Sequence, residues 1–472
     1  MHFIPDDVLF QRLAFDNPWW AGGTGAKPKF HDFIKRAYFS AFFSRFINPI
    51  GTEPLLLAGP SGAGKTVMIR QAVAQLLETG VAPTSIFYCS LTTPSYTGAS
   101  LERLLDVFAA RYGHGLDSEI NVFLDDVQYI KNWQTTVRAL AGKWPKGRIA
   151  VSVFSGATTG GKDDPAFVLP PLTFLEFLRF RGSEEKLFGA GAGKGSAQMS
   201  VSPEALKALN AEFNQYVNFG GFPKGVSPQI EDISGPAFIR DELAAKVLHK
   251  DLASLAGIND IQELNRLFAI LAFNTAREVT IEELTKAVGV AKNTLRKYLD
   301  YLEHAFLIRR LPRVDRQAKP FQRAVAFKVY LTAPCLYAAL FGPASPDSDA
   351  FPRLAETALV SQWLGSEAVG NLAYASWRGG TIDLLSLNPA TGKPDHVFEI
   401  DWRDTYAGGG KGPENLTAFV KETNPTARAY IMTHTTARQA TMSGTEITLA
   451  PLALYAYWME RASMLSSFDS AA

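Results

Sequence analysis

The 472-residue sequence predicts an α/β protein whose N-terminal part is a parallel sheet, on three observations. A glycine-rich loop, GPSGAGKT over Gly59–Thr66, joins an apolar run (Leu55–Ala58) to a helix-like segment, VMIRQAVAQLLE. A second apolar run, Val122–Leu124, ends in two carboxylates, Asp125 and Asp126. Around both, strand-like and helix-like segments alternate, as the crossovers of a parallel sheet require.

The loop suits a phosphate chain. Gly59, Pro60, Ser61, Gly62, Ala63 and Gly64 can turn backbone N–H groups toward phosphates at the positive end of the helix that starts near Lys65. Lys65 then reaches the terminal phosphates, and Thr66 offers its hydroxyl to magnesium. A chance glycine-rich turn is the alternative, and the strand before and helix after weigh against it. GAGAGKGS (Gly189–Ser196) and GGGKG (Gly408–Gly412) lack the hydroxyl and the first glycine and read as flexible links.

The carboxylates follow with room for one strand and two helices in between. Asp125 is expected to hold magnesium through water and Asp126 to orient or deprotonate the attacking water. Their other reading is a cap on a helix near Asn132. Asp126 is one methylene shorter than Glu, so placement of the water is less assured and turnover is expected to be slow. SIFYCSL (85–91) reads as a strand, SLERLLDVFAARY (100–112) as an amphipathic helix and RIAVSVFSG (148–156) as the next strand. At its tip, Ser155 and Thr158 are candidates for sensing the γ-phosphate, or turn residues. FVLPPLTFLEFLRF then runs through two prolines into a helix.

GPSGAGKT, LDDVQ, LPPLTFLEFL and YVNFGGFPKGV together resemble a family of prokaryotic AAA+-type P-loop ATPases that end in a domain of unknown function. The resemblance spans about residues 30–460 and implies ATP and Mg2+ as cofactors, with Lys65, Asp125 and Asp126 catalytic and Thr66 and Asp125 on the metal. Family members carry an arginine before the proline-leucine segment. GGKDDPAFVLPPL has none, and Arg179 and Arg181 are the nearest substitutes.

Composition sets the frame. Hydrophobic content of 47% and charge of 20% suit a globular chain with large cores. The first twenty residues lack a signal-peptide pattern, and no apolar run matches a membrane span. Cys89 and Cys335 are far apart and the seven histidines show no metal spacing, so a reducing cytoplasm is expected, without zinc.

The net charge of +1 hides an asymmetry. Residues 286–328 hold eleven basic and three acidic side chains, a local +8 that leaves −7 elsewhere. TIEELTKAVGVAKNTLRKYLDYLEHAFLIRRL within this stretch starts with a capping box, Thr280 with Glu283. Its first helix gathers Ile281, Leu284 and Val288 on one face, Gly289 makes the turn, and the second helix buries Leu295, Tyr298, Leu299, Leu302 and Phe306. With LIRRLPRV and VAFKVYL as strands, this predicts a winged helix-turn-helix. Lys292, Asn293, Arg296 and Lys297 are then expected in a DNA major groove, and Arg309, Arg310, Arg313 and Arg316 on phosphates. The other reading is a protein-contact or packing module.

Residues 200–260 read as a helical lid around a Gly-Gly turn. The remainder, helix, two strands, loop, strand, helix and strand, resembles the restriction-endonuclease-like fold. That resemblance places Glu356, Asp383 and Glu399 as a magnesium-holding set, with Asp401 where a lysine is expected and Lys421 as a substitute cation. The expected organisation is an ATPase domain (1–199), lid (200–260), winged helix (261–330) and a nuclease-like domain expected to be degenerate (331–472). Function is expected to be an ATP-hydrolysing, DNA-contacting switch. The alternatives are an ATP-dependent nuclease and a non-hydrolysing regulator that binds a protein partner.

Overall fold

The N-terminal apolar runs pair side by side. In the computed structural model, which describes residues 4–22, 27–49, 51–96, 98–154, 166–189, 201–226, 260–321, 325–364, 371–406 and 413–459, two compact units are present, Met1–Leu169 and Pro170–Ala472. Ser155, Thr158, the two other glycine-rich links and most of the expected lid lie outside the described residues.

In the first unit β1 (Leu55–Ala58), β2 (Ile86–Ser90), β3 (Asn121–Asp125), β4 (Arg148–Val153) and β5 (Phe167–Val168) form a wholly parallel sheet in the order β2-β3-β4-β1-β5. Between β1 and β3 lie the helix Lys65–Glu78, strand β2 and the helix Leu101–Tyr112, the one strand and two helices that the spacing predicts. In a parallel sheet the strands' C-terminal ends share one edge. The glycine-rich loop after β1, the carboxylates ending β3 and the end of β4 therefore meet there.

The sheet's β2 edge is sealed by a side chain. Asn17, fully buried, accepts from Tyr88 N at 2.7 Å and donates to Tyr88 O at 2.8 Å, imitating a neighbouring strand. Trp19 and Trp20 both donate their indole N–H to Ile86 O, at 3.2 and 2.8 Å. The segment around Asn17, Pro18 and Trp19 is thus engaged on β2. Apolar burial holds it: Trp20 stacks on Phe108 with ring centroids 5.2 Å apart.

In the second unit the helix Ile281–Val288 opens with the Thr280–Glu283 capping box and ends at Gly289, whose φ of 86° is left-handed and needs glycine. The helix Lys292–His304 buries Leu295, Tyr298, Leu299 and Leu302 as expected. Phe306 is only half-buried, on a left-handed turn at φ 55°. Strands β6 (Arg277–Thr280), β7 (Ile308–Val314) and β8 (Ala326–Leu331) follow, β6 not foreseen from sequence because REVT is short and mostly polar. Beyond them come the helix Phe351–Gln362 and β9 (Asn371–Trp377), β10 (Gly380–Leu387), β11 (Pro394–Asp401), β12 (Arg428–Thr433), β13 (Arg438–Met442) and β14 (Thr445–Pro451).

All nine strands join one sheet, β13-β14-β12-β11-β10-β9-β7-β8-β6. The seam is the parallel pairing of β7 with β9 at Arg313↔Tyr374 and Val314↔Ala375. No helix of the described residues is long and apolar enough to cross a membrane. Both cysteines are buried thiols.

The edge seal makes the first prediction. Asn17→Ala leaves the N–H and C=O of Tyr88 buried without their partner and is expected to cost about 2–4 kcal/mol, on the usual penalty per unsatisfied group. Urea denaturation monitored by tryptophan fluorescence measures it.

Candidate functional site

The loop after β1 is built around its glycines. A Cβ on Gly59 would lie 2.2 Å from the carbonyl oxygen of Leu169, which follows β5, so only glycine fits. Gly62 and Gly64 take φ of 82° and 100°, and Gly64 caps the helix that starts at Lys65. The Lys65 ammonium is buried in the loop, donating to Gly59 O at 2.8 Å and Pro60 O at 2.9 Å. Arg36, also buried, donates to Ala63 O at 2.6 Å and holds the loop from outside.

Asp125 ends β3 with its carboxylate in the core. It receives hydroxyls from two directions, Ser152 on β4 and Tyr88 on β2 at 3.1 Å, and Thr66 at the end of the loop adds to what steadies its charge. Burial raises its pKa, Asp126 adds to the rise, and these three side chains offset part of it. The Arg70 guanidinium lies 3.6 Å over the Tyr88 ring and donates to Asp16 O, fixing that ring beneath the carboxylate.

Asp126 takes a left-handed conformation, φ 60°, which turns the chain out of the sheet into a short helical turn. Its N–H donates to Ser152 Oγ at 2.9 Å, so one serine braces both carboxylate residues. Gln128 donates its Nε2 to Asp126 Oδ1 at 2.9 Å, while its buried Oε1 has no hydrogen-bond partner among the described residues. No side chain of the pair caps the helix starting at Trp133, so the capping alternative fails.

Lys65, Thr66, Asp125 and Asp126 therefore converge as expected from sequence. Ser152, Tyr88, Arg70 and Gln128 were missed. The legible signal was a lone hydroxyl, Ser152, inside an apolar strand, which when buried must find an acceptor. Magnesium fits the donor set of this site: a loop hydroxyl, Thr66, and a buried carboxylate, Asp125, are oxygens of the kind it prefers.

The residues 51–160 match a family described as an AAA domain, and 210–347 match a domain of unknown function, DUF8612. The nucleotide-site segment is of the AAA type. An uncharacterized protein of Haemophilus influenzae is 22% identical over 285 residues, covering 57% of this chain and 65% of its own. An uncharacterized protein of Methanocaldococcus jannaschii is 26% identical over 205 residues, 40% of this chain and 42% of its own. The chain thus spans less than two thirds of either relative. Among solved structures, AMPPCP-bound DnaA from Aquifex aeolicus aligns over 60% of this chain and 93% of its own, at 14% identity and a TM-score of 0.30.

The second unit corrects several expectations. Arg310 is bound by Glu303 and Asp300, Arg313 donates to Ser376 O and pairs with Glu278, and Arg316 forms a two-pronged pair with Glu422. Arg309 is half-buried, its pKa lowered by that burial. Three of these four arginines thus have partners within the unit, the Arg316–Glu422 pair lying at the surface. Lys292, Asn293, Arg296 and Lys297 remain exposed as expected. Arg179 and Arg181 pair with Glu184 and Glu212.

Magnesium does not fit the expected set Glu356, Asp383 and Glu399. Among the described residues no group of three His, Cys, Asp or Glu side chains is placed to hold a metal ion. The cation there is Lys328, from β8, and not Lys421, whose ammonium is near Gly444. Asp401 turns away to accept from Thr405 N, Thr405 Oγ1 and Tyr406 N. Burial raises Glu356 to about 7 and, with Asp383 beside it, Glu399 to about 8.

Because those carboxyls hold protons more tightly folded than unfolded, the folded state loses stability as pH rises from the unfolded carboxyl range, near 4.5, through about 8. Glu399→Gln is expected to flatten this decline and to stabilise the protein at pH 8 but not at pH 4. Urea midpoints across pH 4–9 test it.

Proposed function

We propose that this chain is an ATP-hydrolysing switch, and the observation that carries the reading is the glycine-built loop around Lys65 on the same sheet edge as Asp125 and Asp126, which Ser152 braces together. The loop N–H groups and Lys65 bind and orient the phosphates; Lys65 exchanges its loop carbonyls for them. Magnesium, when bound between Thr66 and Asp125, supplies neutralising charge on the phosphate oxygens. Asp126, held by Gln128 and by Ser152 through its backbone, accepts a proton from the attacking water. Ser152 keeps the two carboxylates in fixed relation, so placing the water depends on β4 as well as β3.

The 200–260 segment serves as a lid and the 261–330 segment as a winged helix that contacts DNA through Lys292, Asn293, Arg296 and Lys297. Support comes from four exposed polar and cationic side chains in the first half of one helix whose opposite face is buried. The protein acts in the cytoplasm, a reading that rests on its two free thiols. The shorter Asp126 keeps a second reading in view, an ATP-bound regulator that turns over slowly or not at all and answers to a protein partner.

Lys65→Ala is expected to abolish ATP binding. Asp126→Asn should retain binding but lose turnover by about a hundredfold or more, the usual share of a general base. ATP hydrolysis with and without double-stranded DNA checks both; tight binding with no wild-type turnover moves the assignment to the regulator.

Changing Lys292, Arg296 and Lys297 together to Ala is expected to weaken DNA binding and reduce the salt slope by roughly 0.9 per lost phosphate contact. Fluorescence anisotropy across a salt series reads this. An unchanged affinity assigns the exposed face to solvent.

A further inference from the structure

Four side chains from three elements, strand β8, the helix 351–362 and strand β10, meet in the second unit. Lys328 on β8 donates to Glu356 Oε1 at 3.0 Å, to the backbone oxygen of Asp383 at 3.0 Å and to Asp383 Oδ1 at 3.4 Å. These acceptors use all three protons of the ammonium. Tyr330, two residues along the same strand, donates to the same Glu356 oxygen at 2.6 Å. The other Asp383 oxygen accepts from Ile400 N at 3.0 Å. One Glu356 oxygen and both Asp383 oxygens are thus already bonded within the protein. The Lys328 and Glu356 side chains are 11% and 8% exposed, so water does little to screen the pair.

We infer that Lys328 is an internal substitute for a divalent cation: the set Glu356–Asp383 is an electrostatic clamp holding the hairpin strand β8 to the helix 351–362 and strand β10, and is not a metal-dependent nuclease centre. The ammonium occupies the place between carboxylates where resemblance puts magnesium. Position matters as much as charge, because a lysine two residues after Glu399 would approach from β11, whereas Lys328 arrives from a strand laid down 55 residues before Asp383. Breaking one partner of a buried pair is costly, since the survivor is left charged and dry. Removing both together is much less so. This inference is independent of the ATP site, and a Lys65→Ala background leaves it unaltered.

The test is Mn2+ binding by calorimetry to the full chain without nucleotide, on wild type, Asp383→Asn, Lys328→Met and Lys328→Met/Asp383→Asn. Wild type and Asp383→Asn should bind alike. Lys328→Met should gain a site about tenfold tighter or more, because a positive charge has left the carboxylates, and Asp383→Asn should abolish that gain. If Lys328→Met does not fold, Lys328→Met/Glu356→Gln decides: the double variant regains most of the lost denaturation midpoint if the clamp is real. Wild-type Mn2+ binding that disappears in Asp383→Asn, Mg2+-dependent DNA cleavage that disappears in the same variant, or a double variant no better than the single one overturns the inference.

Discussion

A carboxylate carried into the core of a parallel sheet is the constraint on which the first unit depends. Asp125 cannot be solvated where it lies, so its neighbours must supply donors: a hydroxyl from β4 and a phenol from β2, with Thr66 of the phosphate loop adding to the stabilisation of its charge. Each donor ties another element to the end of β3. Ser152 registers β4 against both carboxylates, and Tyr88 brings in Arg70 and through it the N-terminal helix. Thr66 couples the carboxylate to the loop that Gly59 permits to lie against Leu169. The buried charge at the end of β3 is what organises the sheet edge.

The second unit solves a related problem in the opposite direction. Its central stretch carries surplus positive charge, and folding distributes acceptors to it from outside the stretch: Glu282 to Lys286, Glu278 to Arg313, Glu422 to Arg316, and Glu356 with Asp383 to Lys328. Five of the eleven basic side chains of the stretch thus have partners, two of those pairs at the surface, while Lys292, Arg296, Lys297 and Lys319 stay exposed.

Much of the molecule was legible along the chain. The phosphate loop, both carboxylates, the capping box at Thr280 and the buried face of 295–302 are local patterns, each decided by residues within a few positions of one another. The strands β1 to β4 were readable because a sheet buried on both faces writes continuous apolar runs. β6, β13 and β14 escaped notice. They are short or alternate weakly, with exposed polar positions such as Arg277, Glu278, Arg438 and Gln439, so their pairing comes from neighbours rather than their own pattern.

The sequence by itself determined that a nucleotide loop precedes a carboxylate pair, since both are fixed by spacing and by residue types that the chemistry restricts. It also determined that a helix with a cationic outer face follows. Only the tertiary structure decided which charges are available. Ion pairs form between residues far apart in the chain, as Lys328 with Asp383 and Arg316 with Glu422, and spacing carries no information about them. The same holds for the serine that braces the two carboxylates and for the asparagine that closes the sheet edge: a buried polar atom takes its role from whichever group folding places within hydrogen-bond reach.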